Sequence, residues 1–135
     1  MNGYDAYVIL GAPELAMKDS DGPVESVTLY WEGSGIQLIF DVKNDSLVSI
    51  SFYSNIENIE LDGLILDWNE TVEMYDYLVK NDASAKEAHG ITVFFEKGIS
   101  VDSFETDETS TKSLTVFAPG QFDPNAPYFK KVSVK

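Results

Sequence analysis

The side chains that could do chemistry in this 135-residue chain are mainly carboxylates: 23 Asp and Glu accompany nine Lys, one His and no Cys. The absence of cysteine excludes disulfides, thiolate metal sites and cysteine nucleophiles. His89, in KEAHGIT, would need an orienting carboxylate and a nucleophile at a recognisable spacing to act as a general base, and the sequence offers neither. A lone histidine at the start of a strand is more typical of a surface or capping residue.

The acidic run FETDETS, residues 104–110, lacks the carboxylate spacing around a glycine that a calcium loop requires. We interpret it as a solvated acidic turn. The sequence also contains no glycine-rich loop that could hold a phosphate. A pair of carboxylates acting on a glycoside stays open as an alternative, since any strand-rich acidic chain offers such pairs. We therefore predict a protein without cofactor or metal, and not an enzyme.

The charge balance bears on the kind of partner. The formal net charge is −14, and all nine basic residues are lysines. Without arginine there is no planar fork for phosphate, and the negative field repels nucleic acid, so nucleic acid is excluded as a partner. The charge instead predicts a basic protein partner. The alternative is that it only maintains solubility.

The sequence also bears on localisation. Its first residues, MNGYDAYVILGAPELAM, lack the basic region, apolar core and cleavage site of a secretory signal. No apolar run approaches the roughly 18 to 20 residues of a membrane span. We therefore expect a cytoplasmic protein that does not associate with membranes.

Three segments of the first half predict strands. Residues 26–33, 36–42 and 47–54 are rich in apolar residues, separated by short polar turns, and the first and third alternate apolar with polar positions. This pattern predicts an antiparallel meander with one buried face. The residues predicted to share that face are Leu29, Trp31, Ile50 and Phe52. Tyr30 and Tyr53 should then point to the other side of the sheet.

The segment LDWNETVEMYDYLVKN, residues 66–81, changes to a helical period. Asp67 and Glu70 have the spacing of a capping box, which predicts the start of the helix there. Its predicted apolar face is formed by Trp68, Val72, Tyr75 and Val79. A shorter helical pattern near the N-terminus ends at Gly11 and Pro13.

The second half repeats the strand pattern of the first. FFEKGISVDSF, residues 94–104, resembles YWEGSGIQLIF, residues 30–40, at an offset of 63 or 64. We predict an α+β fold with a mainly antiparallel sheet, built from two helix-plus-three-strand repeats with both helices on one face. The chain would be one domain, 1–135, with pseudo-repeats at about 1–58 and 59–135. The alternative is chance similarity between strand-rich segments.

Aromatic residues indicate a binding surface. Where two successive strand residues are aromatic, as in Tyr30-Trp31, only one can enter the core. Exposed rings surrounded by carboxylates favour protein binding, because aromatics supply much of the interface energy and carboxylates steer a basic partner. The alternative is that helices or a second subunit cover the rings. The predicted partner-binding residues are Tyr30, Glu32, Tyr53, Glu96, Asp102, Glu105, Asp107 and Glu108.

The segments ILGAP, LYWEGSGIQLIF and SLVSISFY together resemble the helix-plus-meander repeat of the β-lactamase inhibitory protein class. That resemblance implies a curved sheet whose concave face grips another protein. The tandem arrangement and acidic charge also resemble bacterial immunity proteins, which neutralise toxins. The second half has Asn81-Asp82 where the first has the Gly-x-Pro turn, so the match in motif covers the first half. We expect an inhibitor of a basic toxin, plausibly a nuclease; the alternative is a small enzyme or ligand-binding module with a concave sheet pocket.

Overall fold

The computed structural model describes residues 2–19, 25–31, 35–108 and 111–132. These residues form two helices and eleven strands. The helices are α1 (Gly3–Leu10) and α2 (Thr71–Asn81). The strands are β1 (Leu15–Asp19), β2 (Ser26–Trp31), β3 (Ile36–Asp41), β4 (Ser46–Tyr53), β5 (Glu60–Leu61), β6 (Leu64–Ile65), β7 (Lys86–Ala88), β8 (Ile91–Phe94), β9 (Ile99–Asp102), β10 (Ser113–Phe117) and β11 (Lys130–Lys131).

Nine of these strands form one antiparallel sheet in the order β1-β2-β3-β4-β10-β9-β8-β7-β11, and β5 and β6 form a separate hairpin. The predicted α+β class with a mainly antiparallel sheet is therefore confirmed. Both predicted meanders are present, β2 to β4 over residues 26–53 and β8 to β10 over residues 91–117. The meanders meet where β4 pairs with β10.

The sheet has two faces, because residues directly opposite one another in neighbouring strands point to the same side. One face, which we call the core face, carries Leu29, Trp31, Ile36, Leu38, Ile50, Phe52, Phe94, Ile99, Val101, Leu114 and Val116. The opposite face carries Leu15, Met17, Tyr30, Gln37, Ser51, Tyr53, Lys86, Val93, Ser100, Asp102, Thr115 and Phe117.

The buried apolar residues form two clusters. Ala6 of α1 packs in one with Trp31, Leu38 and Phe40, and Leu29 and Ile50 pack against it. The other joins α2 to the second meander through Met74, Tyr75, Leu78, Phe94, Ile99, Val101, Phe104 and Leu114. The residues Leu29, Trp31, Ile50 and Phe52 share the core face, as predicted; Trp31 is buried and the other three are half-buried.

Two strands of the sheet were absent from the sequence prediction. β1 and β7 each lie between a helix and a meander, so that one unpredicted strand precedes each meander. β7 is only Lys86-Glu87-Ala88, and β1 is exposed at Leu15, Ala16, Met17 and Lys18. Neither segment buries alternate residues, and that alternation is the signal from which strands are predicted.

The predicted capping box of α2 is wrong. The helix begins at Thr71, and Glu70 makes no side-chain capping bond. Asp67 instead accepts a hydrogen bond from the Asn69 N–H at 2.9 Å. The cap comes from Asp107, whose Oδ1 accepts from the Val72 N–H at 3.0 Å. The helix N-terminus is thus capped by a carboxylate distant in sequence, whereas the local sequence pattern predicted Asp67 as the cap.

Replacing Asp107 with alanine should lower the free energy of unfolding by about 0.5 to 2 kcal/mol, the usual cost of losing an N-terminal cap. Glu108→Ala is the matched control, because it removes an equal charge from the neighbouring exposed position. Urea unfolding of both variants measures the difference. Equal destabilisation by the two substitutions would mean that the cap contributes nothing beyond charge.

Candidate functional site

The second half of the opposite face is covered by residues 118–129, which we call the cover segment. Phe122 packs edge-on against Phe117 with ring centroids 4.9 Å apart, and Phe129 lies 6.4 Å from Phe122 and 5.6 Å from Phe95. Lys86 Nζ donates to the Pro124 carbonyl at 2.5 Å. Val93, which faces this side, is fully buried.

The first half of the opposite face has no such cover among the described residues. Leu15 and Met17 each remain 53% exposed, and Tyr30 and Tyr53 are half-buried. A pocket of about 560 Å³ opens between the two tyrosines. We call it the tyrosine pocket, and it is lined by Leu15, Tyr30, Gly35, Ile36, Tyr53, Ser54, Asn55 and Thr111.

The path of the chain after each meander explains why one half is open. After β4, Ile59 and Leu61 pack on the cluster of α2. The indole N–H of Trp68 holds this segment by donating to the Ile56 carbonyl at 2.8 Å. After β10 the chain instead becomes the cover segment on the opposite face. Among the described residues, no segment covers the tyrosine pocket in the way that the cover segment covers the second half.

Gly35 shapes one wall of the pocket. Its φ is +70°, a conformation that side chains other than glycine rarely adopt. A Cβ atom at this position would overlap the carboxamide of Asn55. The Gly35 carbonyl accepts from the Tyr53 N–H at 3.0 Å, which holds the end of β4 beside the turn. A substitution here would displace both Asn55 and Tyr53.

Tyr53 gives the pocket its polar contact. Its hydroxyl donates to Gln37 Oε1 at 2.7 Å. Burial raises the pKa of Tyr53 above its ordinary value, and the charges of Tyr30 and Asp102 raise it further. The hydroxyl is therefore neutral at physiological pH, and none of the lining residues carries a charge. The pocket can accept an apolar or aromatic group with a polar contact at its rim.

The structure brings together only some of the predicted binding residues. Tyr30 and Tyr53 line one pocket, and Asp102 lies on the same face, two strands from Tyr53. The others lie elsewhere: Glu96 in the turn between β8 and β9, Glu105, Asp107 and Glu108 in the loop after β9. Glu32 lies outside the described residues. Sequence reasoning missed Leu15, Ile36 and Thr111, and the missed β1 is the reason for Leu15.

His89 lies beside a second, smaller pocket of about 350 Å³, lined by Glu87, Ala88, His89, Gly90, Thr92, Glu105, Tyr128 and Lys130. The φ values of His89 and Gly90 are +53° and +84°, which identifies the two-residue turn between β7 and β8 as type I′. His89 therefore has a turn role that accounts for its position. The described residues contain no group of three or more His, Cys, Asp or Glu placed to hold a metal ion.

No helix within the described part of the chain is long and apolar enough to cross a membrane.

Comparison of the chain with family models, curated proteins and solved structures found no match.

The raised pKa of Tyr53 predicts a dependence of stability on alkaline pH. Its folded-state pKa lies above the unfolded value of about 10, so its contribution is fully present below pH 10 and is lost as pH rises through the folded pKa. Tyr53→Phe should therefore flatten the fall in urea midpoint between pH 9 and 11. Tyr4→Phe, at a residue 74% exposed, is the control and should leave the fall unchanged. Identical profiles for the two variants would contradict the assigned burial of the Tyr53 hydroxyl.

Proposed function

We propose that this protein is a protein-binding inhibitor that occludes the active site of a basic partner, in the manner of a bacterial immunity protein acting on a toxin in the cytoplasm. The observation that carries the proposal is the uncovered first half of the opposite face. There Tyr30 and Tyr53 flank a pocket, and Leu15 and Met17 are 53% exposed beside it. Half-buried tyrosines around a pocket supply the kind of anchors that dominate protein interfaces.

The charge of the chain supports a basic partner. A nuclease must attract phosphate, so its cleft is electropositive, and a domain of net charge −14 would associate with it rapidly. The two features have separate roles in the proposal. Long-range charge governs the rate of encounter, and the tyrosine pocket provides short-range contacts.

The proposal includes a two-repeat architecture, each repeat a helix followed by strands, with both helices on one face. The register between β4 and β10 supports it: Tyr53 opposes Ser113, Ser49 opposes Phe117, and Ser51 opposes Thr115. At an offset of 64, Ser51 and Thr115 correspond, so this pairing is symmetric about their contact. Gly35 and Gly98 also correspond, with φ of +70° and +69°.

The resemblance to the β-lactamase inhibitory protein class supports the same proposal, because there a tandem repeat forms a sheet that grips another protein. A second candidate function, a ligand-binding module, is favoured by the size of the tyrosine pocket. Its 560 Å³ falls within the roughly 300 to 1,000 Å³ typical of small-molecule sites. The two candidates differ in what binds, a protein surface or a small molecule, and the following experiment separates them.

The test is co-expression with the product of the adjacent gene in the native genome, read as growth protection and as affinity for the purified product. We expect protection by the natural chain. The double variant Tyr30→Ser, Tyr53→Ser should lose at least about 2 kcal/mol of binding. Its urea midpoint is measured alongside, because both tyrosines are half-buried. Tyr4→Ser, Tyr7→Ser is the matched control, because both residues are exposed on α1 at 74% and 55%. A natural chain that neither protects nor binds would refute the proposed role.

The association rate provides a separate prediction. With electrostatic steering, the on-rate for the partner should fall about tenfold between low and physiological ionic strength, because the Debye length shortens from about 30 to 8 Å. Stopped-flow mixing measures it. An on-rate independent of salt would leave the net charge with a role in solubility alone.

A further inference from the structure

The two halves of the opposite face present corresponding positions around the tyrosine pocket and beneath the cover segment. Tyr53 corresponds to Phe117, and their backbone N–H groups make the same bond, to Gly35 O at 3.0 Å and to Gly98 O at 2.9 Å. Tyr30 corresponds to Val93 at the offset of 63. Leu15 opposes Tyr30 on β1 just as Lys86 opposes Val93 on β7.

In the second half, the cover segment of the chain itself lies over these positions. Phe122 lies edge-on against Phe117 at an interplanar angle of 76°, and Lys86 bonds the cover segment at Pro124. The segment is an irregular run, APGQFDPNAPYF, with three prolines and three aromatics. Val93, on the same face, has no exposed surface. The cover segment thus shows, within the same protein, what kind of segment covers such a sheet surface.

We infer that the tyrosine pocket receives an aromatic side chain from the partner, carried on an irregular segment that lies over Leu15, Tyr30 and Tyr53 as the cover segment lies over the second half. The inference rests on the proposed function for the existence of a partner. Its chemistry rests on the correspondence between Tyr53 and Phe117.

The lining favours an aromatic ring over other side chains. Tyr53 and Tyr30 offer ring edges and faces for the edge-on geometry that Phe122 adopts on Phe117. Leu15 adds apolar contact, and no lining residue carries a charge to pair with a charged side chain. The acidic surroundings of the chain act on basic residues flanking the ring rather than on the ring itself.

Two probes test the inference on the full chain by NMR. The first is N-acetyl-phenylalaninamide, compared with N-acetyl-leucinamide and N-acetyl-argininamide. The second is a blocked peptide with the sequence of residues 118–129, compared with the same peptide carrying Phe122→Ala and Phe129→Ala. We expect the phenylalanine probes to shift resonances of Leu15, Tyr30 and Tyr53 saturably. The alanine peptide should bind at least tenfold more weakly, and the leucine and arginine amides more weakly than the phenylalanine amide.

Variants of β1 provide a matched control for the site. Leu15→Ser should weaken the peptide at least fivefold, whereas Met17→Ser should leave it unchanged, since both residues are 53% exposed on the same face and only Leu15 lines the pocket. Equal effects of the two substitutions, tighter binding of the arginine or leucine amide, or shifts at Phe117 instead of Tyr53 would each overturn the inference.

The outcome is separable from that of the proposed function. If the phenylalanine probes do not bind the pocket but growth protection depends on Tyr30 and Tyr53, the inferred aromatic occupant is wrong and the proposed inhibitor function is supported. If the probes bind the pocket but the chain gives no growth protection, the aromatic site is supported and the proposed inhibitor function is wrong.

Discussion

The pairing of β4 with β10 is the contact on which the rest of the structure depends. At its centre the hydroxyls of Ser51 and Thr115 lie 2.7 Å apart and share a hydrogen bond. The two apolar clusters remain separate at this seam, and Val116, on the core face of β10, is 42% exposed. The continuity of the sheet therefore depends on the backbone ladder and this polar pair more than on a shared core. Each half has its own apolar cluster, one containing Ala6 of α1 and the other containing residues of α2. The junction fixes how the two halves of the opposite face are presented together.

The structural difference between the two halves arises in the segments that leave the sheet at this junction. After β4, Ile59 and Leu61 pack on the cluster around α2, and the Ile56 carbonyl accepts from the Trp68 indole N–H. After β10, Phe122 lies between Pro119 and Pro124 and Phe129 follows Pro127, and these rings pack on Phe117 and Phe95. Among the described residues, one meander is therefore covered on this face and the other is open. Burial of aromatic area stabilises the half that lies under the cover segment. The half with the tyrosine pocket has a similar architecture but lacks this burial among the described residues.

Sequence periodicity located the meanders and their buried side because alternation is a local property. It could not find contacts made across the chain. Asp107 caps α2 from 35 residues away, and Lys112, only 4% exposed, donates to Thr71 Oγ1 at 2.6 Å in the same region. FETDETS was interpreted as a solvated turn, yet the carbonyls of Phe104 and Thr106 both accept from the buried Thr71 hydroxyl. The cover segment was missed for a related reason: an irregular, proline-rich run has no period, and its partners are set by the fold. Tyr30 and Tyr53 could be placed together from alternation, but Leu15 could not.

The acidic residues divide into two chemical groups with different consequences for binding. Among the described residues, seven aspartates accept hydrogen bonds from backbone N–H groups, and these are Asp5, Asp41, Asp45, Asp67, Asp82, Asp107 and Asp123. Their short side chains hold turns and helix ends, so part of the negative charge has a structural reason to be present. Those charges still contribute to the long-range field, which acts on the rate of association. Residence time depends instead on desolvated short-range contacts. On this division the net charge says little about where a partner would bind, and the tyrosine pocket, which offers short-range contacts, is the stronger indication of a binding site.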